Sequence, residues 1–203
     1  MLSHGFSVSS RMLSSGLAMY VLLSLFGNAR AETVQVPAYM LVEVPYITTP
    51  EPVVKKMLDM AKVKKGDMLY DLGCGDGRIV IEAAQRGAKG VGIELNPHLV
   101  EEAQQNALKA GYADKVQFRV QDIFEADFSK ASVVTLYLLP EINQKLRPQL
   151  WKQLAVGTRV VSHAFDMGPD WPPEKVDEVV GRKIYYWTIR PEHKKMVEVL
   201  AAI

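Results

Sequence analysis

The spacing of apolar positions changes period repeatedly along this chain. Val53, Val54, Met57, Leu58 and Ala61 recur at helical intervals, with Thr49 expected as N-cap and Pro50 as first helical residue. "KKGD", Lys64 to Asp67, is a turn, and Met68 to Leu72 is a short apolar strand. Arg78 to Arg86 reads as a helix stopped by Gly87, and Gly90 to Leu95 as a second strand. Asn96 caps a helix that starts at Pro97 and ends at Gly111. Val116 to Val120 is a third strand, and Ser132 to Leu139 a fourth, apolar enough to be central. Pro140 to Leu154 is helical but holds Pro148, which predicts a kink or break. Thr158 to Ser162 is a fifth strand, and Val176 to Val180 and Ile184 to Ile189 form a closing antiparallel pair around "GRK". Repeated strand–helix units predict an α/β fold: an open, doubly wound, mostly parallel sheet.

The first 52 residues are of another kind. Arg11, the apolar core Gly16 to Gly27 and "ARA" at Ala29 to Ala31 have the layout of a secretory signal peptide. The apolar core is shorter than the roughly 20 residues of a membrane span. Cleavage is expected after Ala31, with an uncleaved membrane anchor as the alternative, so the chain is expected to be exported. Residues 32–52 carry four prolines and no helical period, which predicts an extended lead-in to a domain over 53–203.

Composition narrows the classes. The 203 residues suffice for one sizeable core, and the net charge is only +1. No run of basic residues along the chain is dense enough to mark a nucleic-acid footprint, and neither nucleic acid nor metal is expected. Cys74 is the lone cysteine, so no internal disulfide forms.

"DLGCGDG" follows the first strand and opens a helix, a setting in which backbone amides and the helix dipole face a ligand. Gly73, Gly75 and Gly77 alternate, which is neither G-x-G-x-x-G nor a Walker loop. Asp71 and Asp76 would repel a pyrophosphate but suit a ligand with a cationic and an anionic end, such as an amino acid group. Glu94, closing the second strand, can accept from both ribose hydroxyls. Asp122, closing the third, can accept from an adenine amino group. Amino acid, ribose and adenine together are S-adenosylmethionine. Cys74 reads as a small packing residue, although a helix N-terminus lowers a thiol pKa.

With Glu94 and "QDIF" at Gln121 to Phe124, the loop resembles the signature of class I methyltransferases, over Pro45 to about Trp171. The resemblance implies a seven-strand Rossmann-like sheet. It implies that Asp71, Gly73, Gly75 and Gly77 surround the methionine part, Glu94 the ribose, and Asp122 with the Ile123 backbone the adenine. "VPYITTPEPVV", "GIELNPHLV" and "GTRVVSHAFDM" are similar to the small lysine methyltransferases of mitochondria and their prokaryotic relatives. The mitochondrial enzymes act on inner-membrane proteins, so this resemblance implies a protein-lysine acceptor, one associated with a membrane. The chain departs at "LYLLPE" after the fourth strand and lacks the N-D/P-P-P-Y/F motif of amino-methylating nucleic-acid and glutamine enzymes.

Tyr137 and Glu141 flank "LLP" and are the candidate catalytic residues, while Tyr46 in the lead-in is placed to fold over the cofactor. Aromatic faces attract an ammonium. His163 and Asp166, after the fifth strand, stand at the same edge. The competing readings are a small-molecule N- or O-methyltransferase and a cofactor-binding domain without turnover.

Overall fold

Twelve elements follow in the order the sequence predicts, with one addition at the end. The computed structural model describes residues 47–201; Tyr46 and the whole signal-like segment lie outside them. The elements are α1 (Glu51–Met60), β1 (Met68–Leu72), α2 (Arg78–Gln85), β2 (Lys89–Glu94), α3 (Pro97–Ala110), β3 (Val116–Val120), β4 (Val133–Leu136), α4 (Pro140–Gln153), β5 (Arg159–His163), β6 (Lys175–Val179), β7 (Arg182–Thr188) and α5 (Pro191–Ala201).

The strands form one seven-stranded sheet in the order β3-β2-β1-β4-β5-β7-β6. Strands β1 to β5 pair in parallel, and β7 runs antiparallel to both β5 and β6. The chain winds outward from β1 to β3, then returns to place β4 on the other side of β1. The carboxyl ends of β1 and β4 therefore flank a topological switch point, where an open α/β sheet takes its ligand.

Alternation along each strand divides the core in two. Leu69, Val133 and Val161 face one layer with Met57 of α1, Val80 of α2 and Val100 of α3. Tyr70, Leu72, Val134 and Leu136 face the other, with Leu146 and Leu150 of α4. Phe128, Met57 and Leu72 are fully buried; burial of each such side chain stabilises the fold by about 1.5–3 kcal/mol.

Four expectations are corrected. Thr49 does not cap α1: Pro50 is the cap residue and no side chain bonds there, while the Thr49 hydroxyl turns inward to His163. The fourth strand ends at Leu136, because Tyr137 to Leu139 leave the sheet before α4. Helix α4 runs unbroken through Pro148. A proline there costs the carbonyl of Gln144 its helical partner, but both residues lie on the exposed face of the helix, where that loss is cheapest. Helix α5 was not anticipated; Pro191 and Glu192 open it, and His193 stacks 5.4 Å from Trp151 of α4.

Topology also makes a surface that linear reading misses. Exposed Lys62, Lys64 and Lys65 precede β1, Lys89 opens β2, and Lys115 and Lys130 precede β3 and β4. Dispersed in sequence, these cations share the amino-terminal edge of the sheet.

Candidate active site

The opposite edge gathers the site. Gly73, Gly75 and Gly77 have φ of +83°, +52° and +79°, a region that side chains with a Cβ rarely adopt. The amides of Gly73 and Cys74 donate to the Ile93 carbonyl at 2.8 and 3.0 Å, which ties the loop to β2. A Cβ on Gly73 would lie 2.8 Å from Leu138 Cδ2, so the loop also touches the segment that follows β4.

Each predicted acid has a defined place. Asp71 is buried in β1 opposite Thr135 of β4, whose hydroxyl donates to Asp71 Oδ1 at 2.7 Å. Burial pushes the Asp71 carboxyl up to about 7, against the Thr135 hydrogen bond and with help from nearby Glu94 and Asp76. Glu94 closes β2 and binds backbone: Oε2 accepts from Gly75 N at 3.0 Å, and Oε1 from Leu95 N at 2.8 Å and Asn96 N at 3.0 Å. Asp122, half-buried just past β3, accepts from its own Phe124 amide at 2.9 Å and shapes the turn that carries Ile123. The three acids thus stand at the carboxyl ends of three adjacent strands.

Asp76 holds a different post from the one the sequence suggested. Arg78 grips it through Nε and Nη2, at 2.9 and 2.5 Å, and its Nη1 donates to the Thr49 carbonyl at 3.0 Å. Its charge is matched within the protein, and its arginine joins the glycine loop to the lead-in.

Cys74 is buried, and burial pushes its thiol far above the ordinary value. That overrides the helix N-terminus and removes the thiol as a nucleophile. Gly92 explains the packing: a Cβ there would come within 2.5 Å of Cys74 Sγ and 2.6 Å of the Phe118 ring.

On the acceptor side, half-buried Tyr137 lies with its ring centroid 3.9 Å from that of His163 and 6.5 Å from that of Phe165. His163 is 1% exposed, bonds Thr49 Oγ1 through Nδ1 at 3.1 Å, and among the described residues has no hydrogen-bond partner at Nε2. Burial, with Arg182 nearby, brings its imidazole down to about 4, so the ring is neutral at neutral pH. Glu141 is exposed in the first turn of α4, and Asp166 is exposed beyond β5. Phe165 escaped sequence reading; only its position two residues past a strand end could have marked it.

Glu125, Glu141 and Asp166 are exposed at the site edge, which also carries Arg182 and Lys183 at the start of β7 opposite the end of β5, while Lys62, Lys64, Lys65, Lys89, Lys115 and Lys130 stand at the far edge. Among the described residues no group of three His, Cys, Asp or Glu side chains is set to hold a metal, and no helix is long and apolar enough to cross a membrane.

The sequence model of the ANTKMT methyltransferase domain matches residues 71–175. The chain is 45% identical to a protein-lysine N-methyltransferase of Saccharolobus islandicus (strain REY15A), over 74% of this chain and 96% of that protein. It is 36% identical to the adenine nucleotide translocase lysine N-methyltransferase of Mus musculus, over 80% of this chain and 69% of that one. Among solved structures it is similar to an RNA methyltransferase from Salinibacter ruber in complex with S-adenosyl-L-homocysteine. That match has a TM-score of 0.70 and 58% identity, over 71% of this chain and 95% of the other.

Proposed function

The chain belongs to the ANTKMT methyltransferase domain family, and from that premise we propose that it is an S-adenosylmethionine-dependent methyltransferase acting on protein lysine. The observation that carries the reading is the set of acids at three adjacent strand ends around a left-handed glycine loop. The residues fit the cofactor. The loop amides and the start of α2 take the carboxylate of the methionine part, and Asp71 complements its cationic groups. Glu94 takes the ribose hydroxyls; Asp122 and the Ile123 backbone take the adenine. Tyr46 is proposed to cover the cofactor from the lead-in.

When bound, the cofactor supplies an electrophilic methyl group on a sulfonium. What remains for the protein is alignment of a neutral amine. A lysine has a reference pKa near 10.4 and arrives charged, so it gives a proton to water before it attacks, and the cofactor would leave as the neutral thioether S-adenosylhomocysteine. Glu141 and Asp166, exposed in the segments that follow β4 and β5, are the carboxylates proposed to guide the lysine in.

The Salinibacter protein's description as an RNA methyltransferase raises a second acceptor class. The relatives favour lysine: two that cover most of this chain are lysine N-methyltransferases. The missing N-D/P-P-P-Y/F motif points the same way.

The reading extends to location. The N-terminal layout supports export, or anchoring at a membrane, and a membrane-associated protein is the acceptor proposed. An exported domain needs the cofactor supplied outside the cytoplasm; an anchored domain facing inward does not. N-terminal sequencing of the mature chain from separated fractions distinguishes the two.

The functional test is transfer from methyl-labelled cofactor into a cell extract split into membrane protein, soluble protein, RNA and small molecules. Label on lysine of membrane protein is expected. Label confined to RNA or to small molecules overturns the lysine assignment.

A further inference from the structure

We propose that Tyr137 and Phe165 together form the receptor for the target ammonium and retain it as it gains methyl groups. This rests on the lysine reading above. Tyr137 directly follows β4, and Phe165 lies two residues past β5, the adjacent strand. Their rings are 20° from parallel with centroids 6.5 Å apart, and both side chains are half-buried, so each keeps surface for a ligand.

The pair adjoins the cofactor loop, because Leu138, the neighbour of Tyr137, packs where a Gly73 Cβ would stand. Behind Tyr137, His163 presses its ring to within 3.9 Å and is itself fastened to Thr49. Tyr137 is therefore held rather than free to swing. His163 Nε2 is buried and has no hydrogen-bond partner among the described residues, an atom that ordered water would normally satisfy.

The chemistry explains why aromatic rings rather than carboxylates matter here. Each added methyl removes an N–H donor and adds apolar surface while the positive charge remains. A carboxylate loses hydrogen bonds to such a group, whereas an aromatic face continues to attract it. A site with Glu141 and Asp166 outside and two rings inside therefore draws in lysine and keeps the methylated forms for further rounds, each of which begins when the held ammonium gives a proton to water and ends with release of S-adenosylhomocysteine. The expected main product is the fully methylated lysine.

The test has two arms. In the first, tetramethylammonium is titrated into the full chain while the Tyr137 and Phe165 ring signals are followed by NMR. Saturable shifts are expected, kept in Phe165→Tyr and weakened about tenfold in Phe165→Leu. No shift in the native protein overturns the proposal whatever the acceptor is. In the second, methylated lysines in labelled membrane protein are resolved by mass spectrometry. Phe165→Leu is expected to shift the product from trimethyl to monomethyl with unchanged S-adenosylmethionine affinity, and Phe165→Tyr to restore the native pattern. An unaltered distribution in Phe165→Leu, or an equal loss of cofactor affinity, overturns it. Absence of label on lysine with the native chain instead fails the lysine reading, and the tetramethylammonium arm still decides whether the rings bind an ammonium.

Discussion

Thr49 Oγ1 lies 3.1 Å from His163 Nδ1, although 114 positions separate the two residues. The bond fastens the segment before α1 to the end of β5, beneath the acceptor side of the site. The Thr49 carbonyl meanwhile accepts from Arg78, which grips Asp76. One buried threonine thus connects the lead-in, the cofactor loop and the fifth strand, which is why it is unavailable to cap α1.

His163 should make stability depend on pH. Its folded value of about 4 lies below the ordinary 6.5, so between those values the unfolded chain binds a proton that the folded chain refuses. Stability should therefore fall as pH drops from 6.5 to 4, by on the order of 3 kcal/mol at full extent. Denaturant midpoints across that window should decline less for His163→Gln than for the native chain. Parallel curves would mean that the imidazole is protonated without penalty in the folded state.

Asp71 works in the opposite direction over nearly the same window. Its folded value near 7 lies above the ordinary 3.8, so the folded chain holds the proton longer and stability falls as pH rises from about 4 to 7. Asp71→Asn should thus raise the melting temperature at pH 7.5. A cationic ligand favours the ionised form, so cofactor binding at pH 6 should release protons. Calorimetry in two buffers of different ionisation enthalpy measures that release, and Asp71→Asn should abolish it together with much of the affinity.

Much of this was legible beforehand because the signals were local. Asn96 before Pro97, with Gly111 at the far end, marks α3 at both termini, and the Asn96 side chain does accept from His98 N. Alternating glycines after an apolar strand mark the loop for the same reason. What escaped reading depends on partners distant in sequence. Thr49 has the right chemistry for a cap, but His163 outcompetes that role. Phe165 looks like any loop aromatic until β4 and β5 pair and bring it beside Tyr137. The basic far edge exists only once four strand entrances are aligned.

Cys74 should resist modification. The thiol is buried and its ionisation suppressed, and the thiolate is the reactive form. An aromatic disulfide reagent should therefore label no thiol in the native protein and one after denaturation. Gly92→Ala should undo this protection, since the added methyl meets Cys74 Sγ at 2.5 Å and the Phe118 ring at 2.6 Å. Overpacking of that kind costs about 1–3 kcal/mol. Rapid labelling of the native chain would show that the loop opens readily without ligand.

Glu94 should have two separable effects. Its carboxylate accepts three backbone amides, among them Gly75 N in the cofactor loop, and it is the group proposed to hold the ribose. Glu94→Ala removes both and should weaken S-adenosylmethionine binding by about 1–3 kcal/mol, the cost of leaving the ribose hydroxyls and the loop amide unpaired in the bound state. Glu94→Gln keeps one carbonyl oxygen for an amide but brings an NH₂ group where an acceptor stood. It should preserve more stability than affinity. Gly75→Val addresses the loop alone, because a β-branched residue is forced out of φ +52°. It should abolish cofactor binding in a chain that still unfolds cooperatively. Calorimetric titration of the three variants, beside their denaturation curves, orders these effects. Full affinity in Gly75→Val would place the cofactor away from the glycine loop, and full affinity in Glu94→Ala would free the ribose from Glu94.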